Sequence, residues 1–473
     1  MTAPVQEAFG NRSARARPSE FRLSEVLSGL SYALDLTEGQ RPGHSLRTCA
    51  IGIRLANVIG LPASQRPALF YGLLMKNLGC STNASQFAAL SSADGASALE
   101  SFQFAAANVA PGHFWLRRLR QALVVLSHGA DGAREVVLER CERGAEIAAV
   151  LQLPEETADA IRALDEHWDG AGQPYGKKGD AIPLLARLLS LAQALEVHVS
   201  EFGIRSAYDM ARSGRGSRFD PDLVDALTDL RSDEHFWGPL EETNVERLLA
   251  SVGPKDPGDP IDDDRVDLVA EAFAGVIDAK SPWTYRHSTG VARISVQMGY
   301  AMNLPLDRLR TLYRAALLHD LGKLGVSSLI LDKPNPLTDC ETLVMRQHTE
   351  HTHQILTRIG CLRHLAEMAA SHHERVDGRG YHRGLSEADL PLESKILCTA
   401  DIADALLCAR PYRRALDPDH ALDVLSREVG ATIDPECYAA VTRVLHGRTA
   451  VRENKTPAVQ LVDALREDYQ QAA

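Results

Sequence analysis

The sequence predicts an all-α protein made of two helical bundles in tandem, and three observations carry that expectation. Apolar residues recur at intervals of three and four through most of residues 20–445, as in 44–59, 265–278, 287–302 and 306–318, the spacing that gathers them on one helix face. Strand-like alternation is scarce. The two halves of the chain repeat the same landmarks on either side of one proline-, glycine- and aspartate-rich stretch, Gly253 to Asp264, a composition that breaks helices and makes linkers.

In chain order, residues 1–20 are expected to be loosely held and 21–252 to form the first bundle. Residues 253–264 are the linker, 265–445 the second bundle, and 446–473 a tail in which 456–470 could form a last helix. Thr338-Asp339-Cys340-Glu341 has the form of a capping box opening a long helix through His348. A chain of 473 residues has room for two or three domains, each with a full core. The net charge of −12 argues against broad binding to nucleic-acid polymers. Eight cysteines lie scattered without a close pair, the pattern of a reduced compartment. No apolar run has the length of a signal peptide core or a membrane span. A soluble, cytoplasmic protein with no membrane partner is expected.

Spacing reveals a duplication better than identity does. His44 to Asn77 is 33 residues, as is His287 to Asp320. Asp169-Gly170-Ala171-Gly172 matches Asp377-Gly378-Arg379-Gly380, and each Asp is followed 14 residues later by a proline, Pro183 or Pro391. The offset is 243 early and 208 later, so the first half carries a 35-residue insertion between Cys80 and Arg140.

The chemistry lies in the second half. Seven metal-ligand candidates, His287, His319, Asp320, His348, His372, His373 and Asp401, accompany Lys323. They exceed the needs of one ion and suit two divalent ions sharing Asp320, a device for cleaving phosphoesters with an activated water. Lys323 would offset charge building on the phosphate. Nine histidines fall within 287–382 against six in 1–286, so the cluster is not a scatter of ordinary core histidines. His351, His353, His364 and His382 are surplus and read as surface or loop residues, with His351 the best placed to support a ligand. In register, six of the seven positions are altered: Lys76, Asn77, Arg140, Leu164, Asp165 and Gln193 stand where ligands stand, and only His44 persists. Cys80 and Cys141 lie near vacated positions without enough partners for a thiolate site. His167 aligns with Arg375 rather than with a ligand, so the His167–Gly170 segment reads as structural.

The motifs HDLGK (319–323), His348, HHERVDGRGYH (372–382), Asp401 and RPYR (410–413) resemble the HD-GYP branch of the HD phosphohydrolases. The resemblance is strong over 265–430 and weak, as a degenerate copy, over 25–240. It implies tandem HD-type bundles and a metal-dependent phosphodiesterase that hydrolyses cyclic di-GMP to pGpG or GMP. It also implies the seven ligands above on two ions, iron or manganese, with Asp320 and Lys323 at the chemistry. Substrate contacts would come from Lys323, Tyr381, Arg410 and Arg413. Three departures stand out. Trp283 replaces the Glu of three-metal members, His382 replaces the motif's proline, and HTEHT (348–352) replaces a His-Pro-x-x-Gly pattern. The first half is expected to be regulatory, and a second copy of the chain and signalling proteins are candidate partners. The alternatives are an HD phosphohydrolase of another nucleotide and a non-catalytic scaffold that responds to cyclic di-GMP.

Overall fold

The computed structural model describes residues 21–37, 40–80, 134, 137–231, 237, 240, 261–281, 286–333, 335–409 and 414–450. Among these the fold is all-α, with isolated bridges and no strand. The expected terminal helix at 456–470, the N-terminal 20 residues and most of the linker lie outside the described residues.

The chain forms two compact units. One holds Leu34–Asp256 with Ser327–Leu329, and the other holds Met1–Ala33, Pro257–Val326 and Ile330–Ala473. Helix α1 (Leu23–Thr37) therefore contributes its residues up to Ala33 to the unit built from the second half. Contacts within that unit show why. A Cβ on Gly29 would meet Ile359, one on Gly360 would meet Phe21, and Arg358 lies 4.6 Å over the Tyr32 ring.

The first unit runs through α2 (His44–Val58), α3 (Arg66–Met75), α4 (137–150), α5 (Glu155–Arg162), α6 (Leu184–Ser213) and α7 (Pro221–Leu227). The second runs through α8 (Asp263–Asp278), α9 (His287–Ala301), α10 (Leu306–Leu318), α11 (Asp339–Arg358), α12 (Ala366–Ala370), α13 (Leu392–Leu407), α14 (Pro418–Ser426) and α15 (Pro435–Ala450). Helix α8 starts at Asp263, inside the stretch read as linker, because the Asp262 side chain accepts from the Arg265 N–H and caps it. The Thr338–Glu341 capping box is present in full. Phe273, Leu312, Leu317, Ile396 and Leu397 fill the core of this bundle.

Each unit repeats the other's internal joints. Ser45 donates through its backbone and hydroxyl to Asp35, and Ser288 does the same to Asp278. Glu166 accepts the backbone N–H groups of Tyr175 and Lys177, as Glu374 accepts those of Arg383 and Leu385. A Cβ on Gly79 would sit 1.9 Å from the Arg140 carbonyl oxygen, and one on Gly322 would sit 1.9 Å from that of His348. Only glycine permits either approach.

Candidate metal centre

The centre is assembled in the second unit from two helix ends, two mid-helix positions and the segment after α12. Helix α9 opens on His287 and α10 ends at His319. Asp320 leaves helical geometry to start the tight turn Leu321–Gly325. That turn is fastened to α11: the Gly322 N–H donates to Thr352 Oγ1 at 2.9 Å, and the Thr352 hydroxyl donates to the His319 carbonyl at 3.0 Å. His348 rides on α11, His372-His373 follow α12, and Asp401 lies within α13.

These seven side chains converge on one buried point. Their donor atoms form three groups, His287–His319–Asp401, His319–Asp320–His372 and His348–His372–His373, with the atoms of each within 4.8 Å of one another. Asp320 divides its oxygens between two sets. Oδ2 lies 3.3 Å from His319 Nε2 and 3.9 Å from His287 Nε2. Oδ1 lies 3.5 Å from His348 Nε2 and 3.6 Å from His372 Nε2. Asp401 completes the first set, with Oδ1 3.1 Å from His287 Nε2.

The outer nitrogens fix which atom each imidazole offers. His319, His348 and His372 each place Nδ1 against the carbonyl three residues earlier, at 2.7, 2.6 and 2.7 Å. Each Nδ1 must then carry the hydrogen, leaving Nε2 bare. His348 and His372 consequently face each other with unprotonated Nε2 atoms 3.2 Å apart. His319 Nε2 and Asp320 Oδ1 are buried without a hydrogen-bond partner. Lone pairs converging in a dry site repel unless a cation lies among them, so two divalent cations fit this donor set. The protonation states divide between the two sets. Burial works against charged His287 and His319, yet Asp401 and Asp404 hold the first up at about 9 and Asp320 and Asp401 raise the second. A proton there occupies the place a cation would take, whereas the second set stays neutral. Burial pushes His348 down to about 3. Burial works against an ionised Asp320, yet His319, Lys323 and His348 hold it well below the usual carboxylate range. Neutral imidazoles and ionised carboxylates are the forms a metal requires.

Of the residues expected to act beside the ligands, Lys323 places Nζ 2.5 Å from Asp320 Oδ2. The Tyr381 ring packs 4.9 Å from that of His373. Arg410, Arg413 and Trp283 lie outside the described residues. His351 lies against the backbone of Gly322, His353 pairs with Glu367 at 2.9 Å, and the His382 ring is 6.0 Å from that of His353. Sequence reasoning missed Asp404, whose Oδ2 lies 2.8 Å from His287 Nδ1 and orients that ring. Its signal was its place three residues past Asp401, on the same helix face. It also missed Arg346, whose guanidinium lies 5.0 Å over the Tyr381 ring.

The first unit keeps the support and replaces the centre. His44 is still held through Nδ1 by a carboxylate, Glu196, which also takes Arg47 Nε at 2.6 Å. Where His319 and His348 stand in the other unit, the buried cations Lys76 and Arg140 stand here. Lys76 Nζ reaches Ser45 Oγ at 3.3 Å and Arg140 pairs with Asp165. No metal-holding group occurs among the described residues of this unit.

Comparison with known proteins agrees with this geometry. The HD domain family model matches residues 126–223 and 271–437, so it covers segments of both halves. The 3′3′-cGAMP-specific phosphodiesterase 3 of Vibrio cholerae is 38% identical over 90% of this chain and 95% of its own length. The crystal structure of a cyclic GMP-AMP-specific phosphodiesterase of V. cholerae (V-cGAP3) superposes with a TM-score of 0.64 at 36% identity, covering 90% of this chain and 98% of that one. The cyclic di-GMP phosphodiesterase response regulator RpfG of Xanthomonas campestris is 34% identical over 42% of this chain and 51% of its own. The motifs, the fold and these matches together place the chain in the HD domain family.

Proposed function

We propose that the second unit is a metal-dependent phosphodiesterase that hydrolyses a 3′3′-cyclic dinucleotide. The observation that carries this reading is the division of Asp320 between two imidazole sets, with bare Nε2 atoms 3.2 Å apart in the second. His287, His319, Asp320 and Asp401 would hold one ion, and Asp320, His348, His372 and His373 the other. Iron and manganese suit this mixture of imidazole and carboxylate. When bound, the ions polarise the phosphoester and supply an activated water. The chain's own part is positional. Carbonyls and Asp404 orient the imidazoles, Asp320 and Asp401 supply negative charge, and Lys323 stands where it can balance the phosphate as the ribose 3′ oxygen leaves.

The substrate we favour is 3′3′-cGAMP rather than cyclic di-GMP. The relative matched across both halves acts on the former, whereas RpfG aligns with less than half of this chain. Cyclic di-GMP is the second reading, favoured by the 319–323 and 372–382 motifs. We further assign the first unit a regulatory role in a cytoplasmic enzyme, acting within a homodimer or toward signalling proteins. Substrate contacts from Tyr381, Arg410 and Arg413 belong to the same proposal.

The test offers 3′3′-cGAMP, cyclic di-GMP and cyclic di-AMP to anaerobically purified, Fe(II)- or Mn(II)-loaded protein, with chromatography of the products. Turnover that disappears in Asp320→Ala supports the reading. About two ions per chain without turnover of any of the three would redirect it to another phosphoester, and no bound metal would leave a scaffold.

A further inference from the structure

We propose that Arg346 reads a guanine base of the substrate, which makes it a specificity-determining residue of the centre; this rests on the cyclic-dinucleotide reading above. Tyr381 links a ligand to an arginine. His373 packs on Tyr381 with centroids 4.9 Å apart, and Arg346 lies over Tyr381 at 5.0 Å. Arg346 is exposed, and among the described residues no carboxylate or carbonyl accepts from its guanidinium. An arginine that lays its face on an aromatic ring keeps its N–H donors in plane and pointing sideways. Two of them match the O6 and N7 acceptors of guanine, whereas adenine offers a donor in place of O6.

The degenerate half supplies an independent argument. The supporting joints persist there: Asp35–Ser45, His44–Glu196 and the Glu166 loop clasp. The stack does not. At the positions of His373, Tyr381 and Arg346 stand Asp165, Gln173 and Leu138. His373 is itself a ligand candidate, and its two companions Tyr381 and Arg346 are absent where it is absent, as expected if Arg346 serves the reaction and not the fold.

The experiment compares kcat and KM for cyclic di-GMP, 3′3′-cGAMP and cyclic di-AMP in the full-length wild type, Arg346→Ala and Arg346→Lys, all metal-loaded. Equilibrium dialysis of cyclic di-GMP accompanies the kinetics. The expected result is a rise in KM for the guanine-containing substrates of about tenfold to a hundredfold, the scale of one bidentate base contact. The change in kcat should be small by comparison. The preference over cyclic di-AMP should shrink by the same factor, and Lys should restore it only in part, because an ammonium has no flat face to hold against Tyr381. An equal loss on all three substrates, or no change in KM, overturns the inference. If the wild type turns over none of them, the hydrolytic reading fails, and dialysis decides this one separately. Binding weakened by Arg346→Ala sustains it, and unaltered or absent binding sinks it.

Discussion

At the scale of single residues, the centre depends on which atom each side chain is made to present. Asp404 is not among the seven ligand candidates, yet it fixes the His287 ring through Nδ1 at 2.8 Å. Replacing it with Ala should weaken metal binding by about tenfold to a hundredfold, the usual effect of losing an orienting partner, as read by competition with a chelating dye. Lys323 is a different case. Lys323→Met should keep its metal while kcat falls by about a hundredfold to a thousandfold, and a parallel loss of metal by elemental analysis would instead assign Lys323 to the ligand sphere. Acid should act through His348 and His372, both pushed down by burial, the first to about 3. In the unfolded chain such imidazoles take up protons below about 6.5. Between those values the unfolded state binds more protons at these two positions. In metal-free protein the stability that wild type holds over a His348→Asn, His372→Asn variant should therefore be lost as pH drops from about 6.5 toward about 3. Thermal melts of both proteins across that range check it, and a constant difference would refute it.

At the scale of elements, the joints between helices decide how much could be read in advance. His319, His348 and His372 were legible because histidines are scarce and their spacing specific. Asp404 and Arg346 were not, because acidic and basic residues are common on helices and only the packed face shows which of them meets a ring. The glycine joints were half legible: Gly322 stands in the HDLGK motif, but the carbonyl of His348 at 1.9 Å from its absent Cβ is a fact of tertiary packing. Gly322→Ala and Gly79→Ala should each cost about 1–3 kcal/mol by overpacking. Melting curves should show both losses, while only Gly322→Ala should also depress turnover, since its turn carries Asp320. In the first half the altered positions were legible as loss of ligands. That Lys76 and Arg140 put positive charge where ligands stand in the other unit emerged only once both were seen to be buried.

At the scale of the whole molecule, the two units answer the same electrostatic problem differently. The second gathers negative and lone-pair groups that need added cations, and the first carries its cations in the chain. Chelation should therefore loosen one unit alone. Hydrogen exchange in peptides around 319–324, 348 and 372 should quicken about tenfold or more, while those around 44, 76 and 140 stay protected. Equal loosening of both would contradict the proposed division of roles. The grouping of residues up to Ala33 with the second half was not legible at all, because nothing in the first helix names its partner. It has a consequence for biosynthesis. On a ribosome the helix carrying Tyr32 emerges long before Arg358 and Ile359, and the whole other unit is made in between. The unit built from the second half is thus joined by a helix made first, and that helix meets Arg358 and Ile359 only after about three quarters of the chain has been synthesised.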